Sequence, residues 1–309
     1  MLIRIPKSWE IPEREATPES VYYNRRQILA AAGFSLLGES LRAATTPSPY
    51  PAKHNAEFTV DGKITEEFAA TGYNNYYEFH PTDKEAVKNN VGAFVTSPWS
   101  VDVTGYCNKP GKFELEDIIR KFPLEERVYR FRCVERWAMV VPWTGFLLSD
   151  WIKALDPKPE AKFVAFTTAN LPKQMPGIKM APWYPWPYTE GLRMDEAMNS
   201  LTMVVTGLYG KPLPKQNGAP IRIITPWKYG YKSIKSIVKM EFTKSQPPTL
   251  WNKVSPEEYG FYSNINPKQP HPRWSQAVEQ LIPTMERRPT QLYNGYEKYV
   301  AGMYNGKEH

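Results

Sequence analysis

Thirty prolines are scattered through the 309 residues of this chain. Each fixes a backbone φ and removes an N–H donor, so long helices and central strands are interrupted throughout. That distribution argues against a helical bundle and predicts many short elements joined by fixed turns and extended connections. The length suits one large domain or two smaller ones sharing an interface, with a substantial core and no need of metal or disulfide staples. The net charge of +7 could suit nucleic acid. The basic residues are dispersed, however, mostly beside acids or aromatics, which argues against that partner and leaves room for an anionic ligand.

The N-terminus reads as a targeting segment. Arg25 and Arg26 precede a short apolar run over residues 28–37, and the small residues Ala43 and Ala44 follow. The run is too short to span a membrane as an ordinary helix. The paired arginines match the twin-arginine export signal, although Asn24 and Ile28 stand where a hydroxyl residue and phenylalanine are commoner. Residues 1–44 are therefore expected to be a signal region and residues 45–309 the catalytic domain with its terminal covering segments. A chain exported already folded carries any cofactor inside its finished pocket.

Beyond residue 44, periodicity predicts an α+β chain. TTPSPYPAKH (45–54) reads as an extended linker and EFTVDG as a short strand and turn. Helices are predicted over 83–92, over 113–122, where Leu115, Ile118, Ile119 and Phe122 share a face, and over 145–155, where Leu147, Leu148, Trp151, Ile152 and Leu155 do. Strands are predicted over 99–105, 128–136, 161–168, 201–210, 221–225 and 233–242. Residues 170–187 read as a long loop, 189–199 as a short helix, and the segments after residue 250 as covering loops. No glycine turn follows a strand and opens a helix as dinucleotide binding requires.

The chemistry-bearing residues are few. His54, His80, His271 and His309 form no compact metal motif, so zinc hydrolysis is a poor reading. Cys107 and Cys133 are the two cysteines. In an oxidising compartment they could pair. Alternatively Cys133 is a buried core thiol, or a thiolate near Arg130, Arg132 and Arg136 able to ligate a soft redox metal. Extended geometry puts Arg130 and Arg132 on one face and Phe131 and Cys133 on the other. TGYNNYYEF (71–79) offers amides, a hydroxyl and a carboxylate to a heterocycle edge or, as the commoner case, to a polar turn packed with aromatics. QNGAPIR (216–222) and the stretch from Ser233 to Ile237 offer backbone donors and two cations to a phosphate.

Taken as an ordered set, TGYNNYYEF, RCVERWAMVVPW, QNGAPIR and PWKYGYKSIKSI resemble the periplasmic protein-methionine-sulfoxide reductase catalytic subunits. These are molybdopterin-dependent enzymes of the wider sulfite-oxidase-like family, and the resemblance covers most of the chain after the signal region. It implies a mixed α+β, sulfite-oxidase-like molybdopterin-binding fold. Cys133 is then the catalytic, molybdenum-ligating thiolate. Asn74, Tyr77, Glu78, Thr168, Asn217, Arg222, Ser233, Ile234 and Lys235 are the implied pterin contacts, with Arg222 and Lys235 offsetting phosphate charge. Relatives accept glycine at position 233, so the Ser233 hydroxyl carries no side-chain role, and Cys107 carries no cofactor role.

The implied activity is reduction of methionine sulfoxide residues in extracytoplasmic proteins to methionine, by oxygen-atom transfer to molybdenum. The implied cofactor is molybdenum-molybdopterin without an appended nucleotide, and no haem is implied in this subunit. A membrane haem b subunit supplies electrons as the partner in a heterodimer, oxidised periplasmic proteins are the substrates, and the location is the periplasm. Sulfite oxidation is the alternative within the wider family. An exported, disulfide-bearing binding module is the alternative outside enzymes.

Overall fold

The computed structural model describes residues 48–60 and 62–305, and the expected signal region and His309 lie outside them. Short elements dominate, as the prolines dictate. The first described segment is not free linker: β1 (Lys53–His54) pairs in parallel with the edge of a later strand. Of EFTVDG, expected as a short strand and turn, Glu57 lies in a turn, and no strand forms among its described residues. Its Phe58 is buried beneath the Arg127 guanidinium, 3.8 Å from the ring centroid, an attraction that holds the segment down without a ladder. Helix α1 (Glu67–Gly72) leads into the TGYNNYYEF stretch, and α2 spans only Val87–Asn90 of the helix expected over 83–92. Asp83 explains the late start, since its Oδ1 accepts from the backbone N–H groups of Glu85 and Ala86 and holds a turn there.

Strands β2 (Ser100–Gly105) and β3 (Gly111–Glu114) form a hairpin followed by α3 (Leu115–Lys121). Strands β4 (Glu125–Arg132) and β5 (Trp137–Leu147) form a longer one. Helix α4 (Leu148–Leu155) buries Leu148, Trp151, Ile152 and Leu155, four of the five residues of the predicted face, while Leu147 ends β5 and is half-buried. The helix begins three residues later than expected. Gly145 remains in β5, where a Cβ would lie 2.0 Å from Val204 O, so only glycine admits the neighbouring strand there.

Next come β6 (Phe163–Thr168), α5 (Pro176–Met180) inside the expected loop, and β7 (Thr189–Arg193) with α6 (Met194–Ala197), where a single helix was expected. Pairing with β6 claims residues 189–193 as strand. The chain continues through β8 (Met203–Leu208), β9 (Lys211–Pro212), β10 (Arg222–Ile224), β11 (Ile237–Thr243) and α7 (Leu250–Val254). The segments expected as covering loops contain a further hairpin, β12 (Val278–Leu281) and β13 (Glu286–Pro289), before α8 (Glu297–Val300).

Two mixed sheets result. One runs β3-β2-β11-β6-β7. The other has eight strands: β5 pairs with β4, β8 and β12, while β1, β9, β10 and β13 extend it. Strand alternation splits the apolar interior in two. Val204 and Ile223 enter one core with Val101, Phe166, Met240 and α4. Their neighbours Met203, Val205 and Ile224 enter a second core with Met139, Val141, Trp143 and Cys133. Successive side chains of β8 and β10 therefore face opposite cores, as a period of two requires. Strand β5, with ten of its eleven residues buried, reads as the near-continuous apolar run of a strand covered on both faces.

Candidate functional site

The cysteine expected near a strand end stands just beyond one. Strand β4 stops at Arg132, and residues 133–136 make the tight connection of the β4–β5 hairpin. Cys133 N donates to Trp137 O at 2.9 Å and Arg136 N to Cys133 O at 3.0 Å. Arg136 closes the turn with φ +75°, a conformation that L residues seldom adopt outside such turns. Alternation along β4 sends Phe131 toward a cleft and the arginines the other way. Arg130 Nη2 lies 3.0 Å from Glu279 Oε1, and Arg132 Nε lies 3.2 Å from Glu279 Oε2, an ion-pair contact whose alignment falls short of a hydrogen bond. The arginines thus tie the segment to the β12–β13 hairpin and leave the sulfur free of them.

Both cysteines are free thiols, so the disulfide reading is overturned. Cys107 packs in the first core and Cys133 in the second. Cys133 Sγ faces the cleft, with the Glu135 N–H and Asn75 Nδ2 each 3.5 Å away. Burial pushes its thiol up to about 12, with the Glu135 carboxyl adding to the rise and the Glu135 N–H, Arg132 and Lys84 opposing it. An isolated sulfur in this place is a poor nucleophile at neutral pH. A bound metal ion, which deprotonates a coordinating thiol outright, makes it a ligand.

The cleft encloses about 960 Å³ including its open mouth, a size suited to a cofactor. Asn74, Tyr77, Glu78, Cys133, Thr168, Asn217, Arg222, Ser233, Ile234 and Lys235 all line it. Asn217 Nδ2 donates to Asn74 Oδ1 at 3.1 Å and to Ala70 O at 2.9 Å, which locks the two amides together. Thr168 Oγ1 donates to Lys235 O at 2.8 Å. Ser233 Oγ accepts from Thr225 N, and Ser233 O accepts from Arg222 Nη2 at 2.9 Å, so its backbone and its hydroxyl are both engaged within the fold. Ile234 is buried in the first core. Gly218, at φ +103°, permits the crossing: a Cβ would meet Lys235 Cβ at 2.8 Å.

Charge inside the cleft is uncompensated. Arg222 is 2 % exposed, and its hydrogen bonds run to the carbonyl oxygens of Asn217, Ser233 and Ile223. Lys235 Nζ donates to Asn75 O at 2.9 Å. Among the described residues neither cation has a carboxylate within ion-pair distance. Burial lowers Arg222 to about 9. Burial also lowers Lys235, and neighbouring Arg222 lowers it further while Glu78 opposes. Glu78 is raised by its own burial. A buried guanidinium and a half-buried ammonium held by neutral carbonyls are costly unless an anion joins them. Asn217 Oδ1 is buried without a partner, an open acceptor for a heterocycle N–H. These residues fit a polar, phosphate-bearing group with a heterocyclic edge.

Several lining residues escape the sequence reading. Trp251 and Tyr259, expected in a covering loop, rim the cleft and pack with Tyr77: ring centroids are 5.2 Å apart for Tyr77 and Trp251 and 5.0 Å for Trp251 and Tyr259. Lys84, outside the lining itself, pairs with the lining residue Glu135 at 3.2 Å. The aromatic density of the segment after residue 250 was the available signal for the first two; nothing local marks Lys84. Glu135 and Trp137, which adjoin Cys133 in the sequence, also line the cleft, and Trp137 Nε1 donates to Glu135 Oε2 at 3.1 Å.

Comparison with known proteins agrees with this chemistry. The family model described as oxidoreductase molybdopterin binding domain matches residues 88–251. The protein-methionine-sulfoxide reductase catalytic subunit MsrP of Burkholderia mallei (strain ATCC 23344) is 48% identical over 314 residues, covering 97% of this chain and 94% of that protein. Among solved structures, the sulfane dehydrogenase SoxCD from Paracoccus pantotrophus aligns with a TM-score of 0.47 at 16% identity, covering 90% of this chain and 67% of that one. The fold is thus a mixed α+β molybdopterin-binding oxidoreductase fold, and the chain belongs to the family of protein-methionine-sulfoxide reductase catalytic subunits.

Proposed function

We propose that this protein reduces methionine sulfoxide residues in extracytoplasmic proteins to methionine, using molybdenum-molybdopterin without an appended nucleotide. Its electrons come from a membrane haem b subunit with which it forms a heterodimer. Residues 1–44 direct export through the twin-arginine pathway to the periplasm, and residues 45–309 are the catalytic domain. The observation that carries the reading is the union, in one cleft, of a lone cysteine thiol with a buried guanidinium, Arg222, and a half-buried ammonium, Lys235, neither of which forms an ion pair among the described residues. Among the described residues no group of three His, Cys, Asp or Glu could hold a metal, so a metal at Cys133 needs ligands brought by a cofactor.

Molybdopterin bound there supplies a metal centre able to accept an oxygen atom and pass two electrons. The protein's part is retention, orientation and exclusion of water. Cys133 Sγ ligates the metal. Arg222 and Lys235 neutralise phosphate, and the Asn74–Asn217 pair with Glu78 fixes the polar edge. Tyr77, Trp251 and Tyr259 form an aromatic mouth against which a thioether-like side chain packs favourably. A single exposed side chain on a flexible segment can enter such a mouth, whereas a compact surface cannot.

The test is turnover by the purified protein from a host that makes molybdopterin, with a reduced viologen as donor. Protein-bound methionine sulfoxide should be consumed, and in a separate assay with ferricyanide as electron acceptor sulfite should be left unoxidised. Sulfite oxidation without sulfoxide reduction would replace this reading with the alternative chemistry.

A further inference from the structure

The turn that carries Cys133 is gripped from outside the region matched by the domain family. Val134 O accepts from Trp274 Nε1 at 2.9 Å and from Gln276 Nε2 at 2.8 Å. Both donors lie beyond residue 251, where the match ends. Each donor is itself fixed. The Gln276 Oε1 accepts from Arg132 Nη2 at 2.8 Å, and Gln276 is 1% exposed. The Trp274 ring stacks on His271 with centroids 3.9 Å apart and planes 7° from parallel. A carbonyl oxygen has two lone pairs, and here both are engaged by side chains brought from more than a hundred residues away in sequence.

The consequence lies on the other side of the same peptide. The Val134–Glu135 bond is trans, and in a planar trans peptide the C=O and the N–H point in opposite directions. Pinning Val134 O between two donors therefore aims the Glu135 N–H, and that N–H is directed at Cys133 Sγ, 3.5 Å away. Rotation of the peptide away from Trp274 and Gln276 would carry the N–H off the sulfur. Hydrogen bonds to a ligating sulfur withdraw charge from it and raise the potential of the metal it holds.

We propose that Trp274 and Gln276 are positioning residues: through the Val134–Glu135 peptide they hold an N–H···S hydrogen bond on the Cys133 thiolate and so set its electron donation to the metal. The proposal rests on Cys133 being the molybdenum ligand. It assigns to the C-terminal segment a role in tuning the centre as well as in covering it.

The experiment uses the full-length holoprotein with Trp274→Phe, which deletes one N–H and keeps a stacking ring, Gln276→Met, which keeps volume and loses the amide, and the double variant. Molybdenum content, the electron paramagnetic resonance spectrum of the half-reduced metal and its midpoint potential are read on folded, metal-loaded protein. The proposal expects a lowered potential and shifted g-values in each single variant, with a larger change in the double. Should Gln276→Met fail to accumulate, Trp274→Phe decides alone. Loaded variants with wild-type spectrum and potential would overturn the proposal while leaving Cys133 as ligand. A spectrum unchanged by Cys133→Ser would overturn the ligand assignment itself, and the proposal with it.

Discussion

Glu135 Oε2 lies 3.9 Å from Cys133 Sγ while accepting hydrogen bonds from Asn75 Nδ2 at 3.0 Å and Trp137 Nε1 at 3.1 Å and pairing with Lys84. A carboxyl is thus fixed beside the cysteine thiol of the cleft. Its negative charge is the second contribution, after burial, to the raised Cys133 thiol. In cofactor-free protein, Glu135→Gln should lower the thiol pKa and raise the thiolate fraction. Alkylation by iodoacetamide at pH 8 should quicken by up to about tenfold, the factor for one pKa unit. An unchanged or slower rate would show that the carboxyl does not act on the sulfur.

Lys235 predicts a pH dependence of stability. Burial and Arg222 depress its ammonium in the folded protein, so the cost of burying the charge is fully present below the folded pKa. It fades as pH rises toward the unfolded value near 10.4, because over that window the unfolded chain binds the extra proton. Lys235→Met should therefore stabilise cofactor-free protein by about 1 kcal/mol or more at pH 6, with the gain shrinking toward pH 10. Thermal melts across that range measure it, and a gain that grows with pH would contradict the sign. The same variant should retain less molybdopterin.

Lys232 makes the opposite case, because its charge is matched. Lys232 Nζ lies 2.6 Å from Glu190 Oε2, both side chains being about 1% exposed. Lys232→Met leaves the Glu190 carboxyl buried alone and should cost about 3–5 kcal/mol in urea unfolding. Lys232→Met with Glu190→Gln should recover part of that loss. A double variant no better than the single would mean that the pair does not act as a unit.

Gly177 supports the TGYNNYYEF stretch from behind. A Cβ there would stand 2.1 Å from Tyr77 O and 2.7 Å from Glu78 C, and backbone cannot yield as a flexible side chain can. Gly177→Ala should cost about 1–3 kcal/mol, as overpacking does. By displacing Tyr77 and Glu78 it should also lower pterin retention. Wild-type stability and occupancy together would show that this backbone has slack.

What could be read from the chain follows from the range of the forces involved. Most of the α4 face and the apolar run of β8 are local signals, and both elements form within the expected spans. Phe131 and the arginines of β4 face opposite ways because a strand has a period of two. Elements decided by distant partners were not legible: β1 exists because the edge of β4 takes it, and β7 because β6 takes it. Site residues carried by contiguous phrases, such as Asn74 and Lys235, could be named. Trp251 and Tyr259 reach the cleft, and Lys84 reaches Glu135, only through tertiary packing, which no spacing encodes. The double grip on Val134 O is of the same kind, because Trp274 and Gln276 lie 140 and 142 residues from it.

The central claim is that Cys133 holds molybdenum carried by a pterin, and metal and pterin analysis of the mature protein from a cofactor-competent host tests it most directly. The account predicts one molybdenum and one pterin per chain, with molybdenum largely lost in Cys133→Ser and retained in Cys107→Ser. Protein that is folded yet free of molybdenum, or a Cys133→Ser variant that keeps full occupancy, would contradict it.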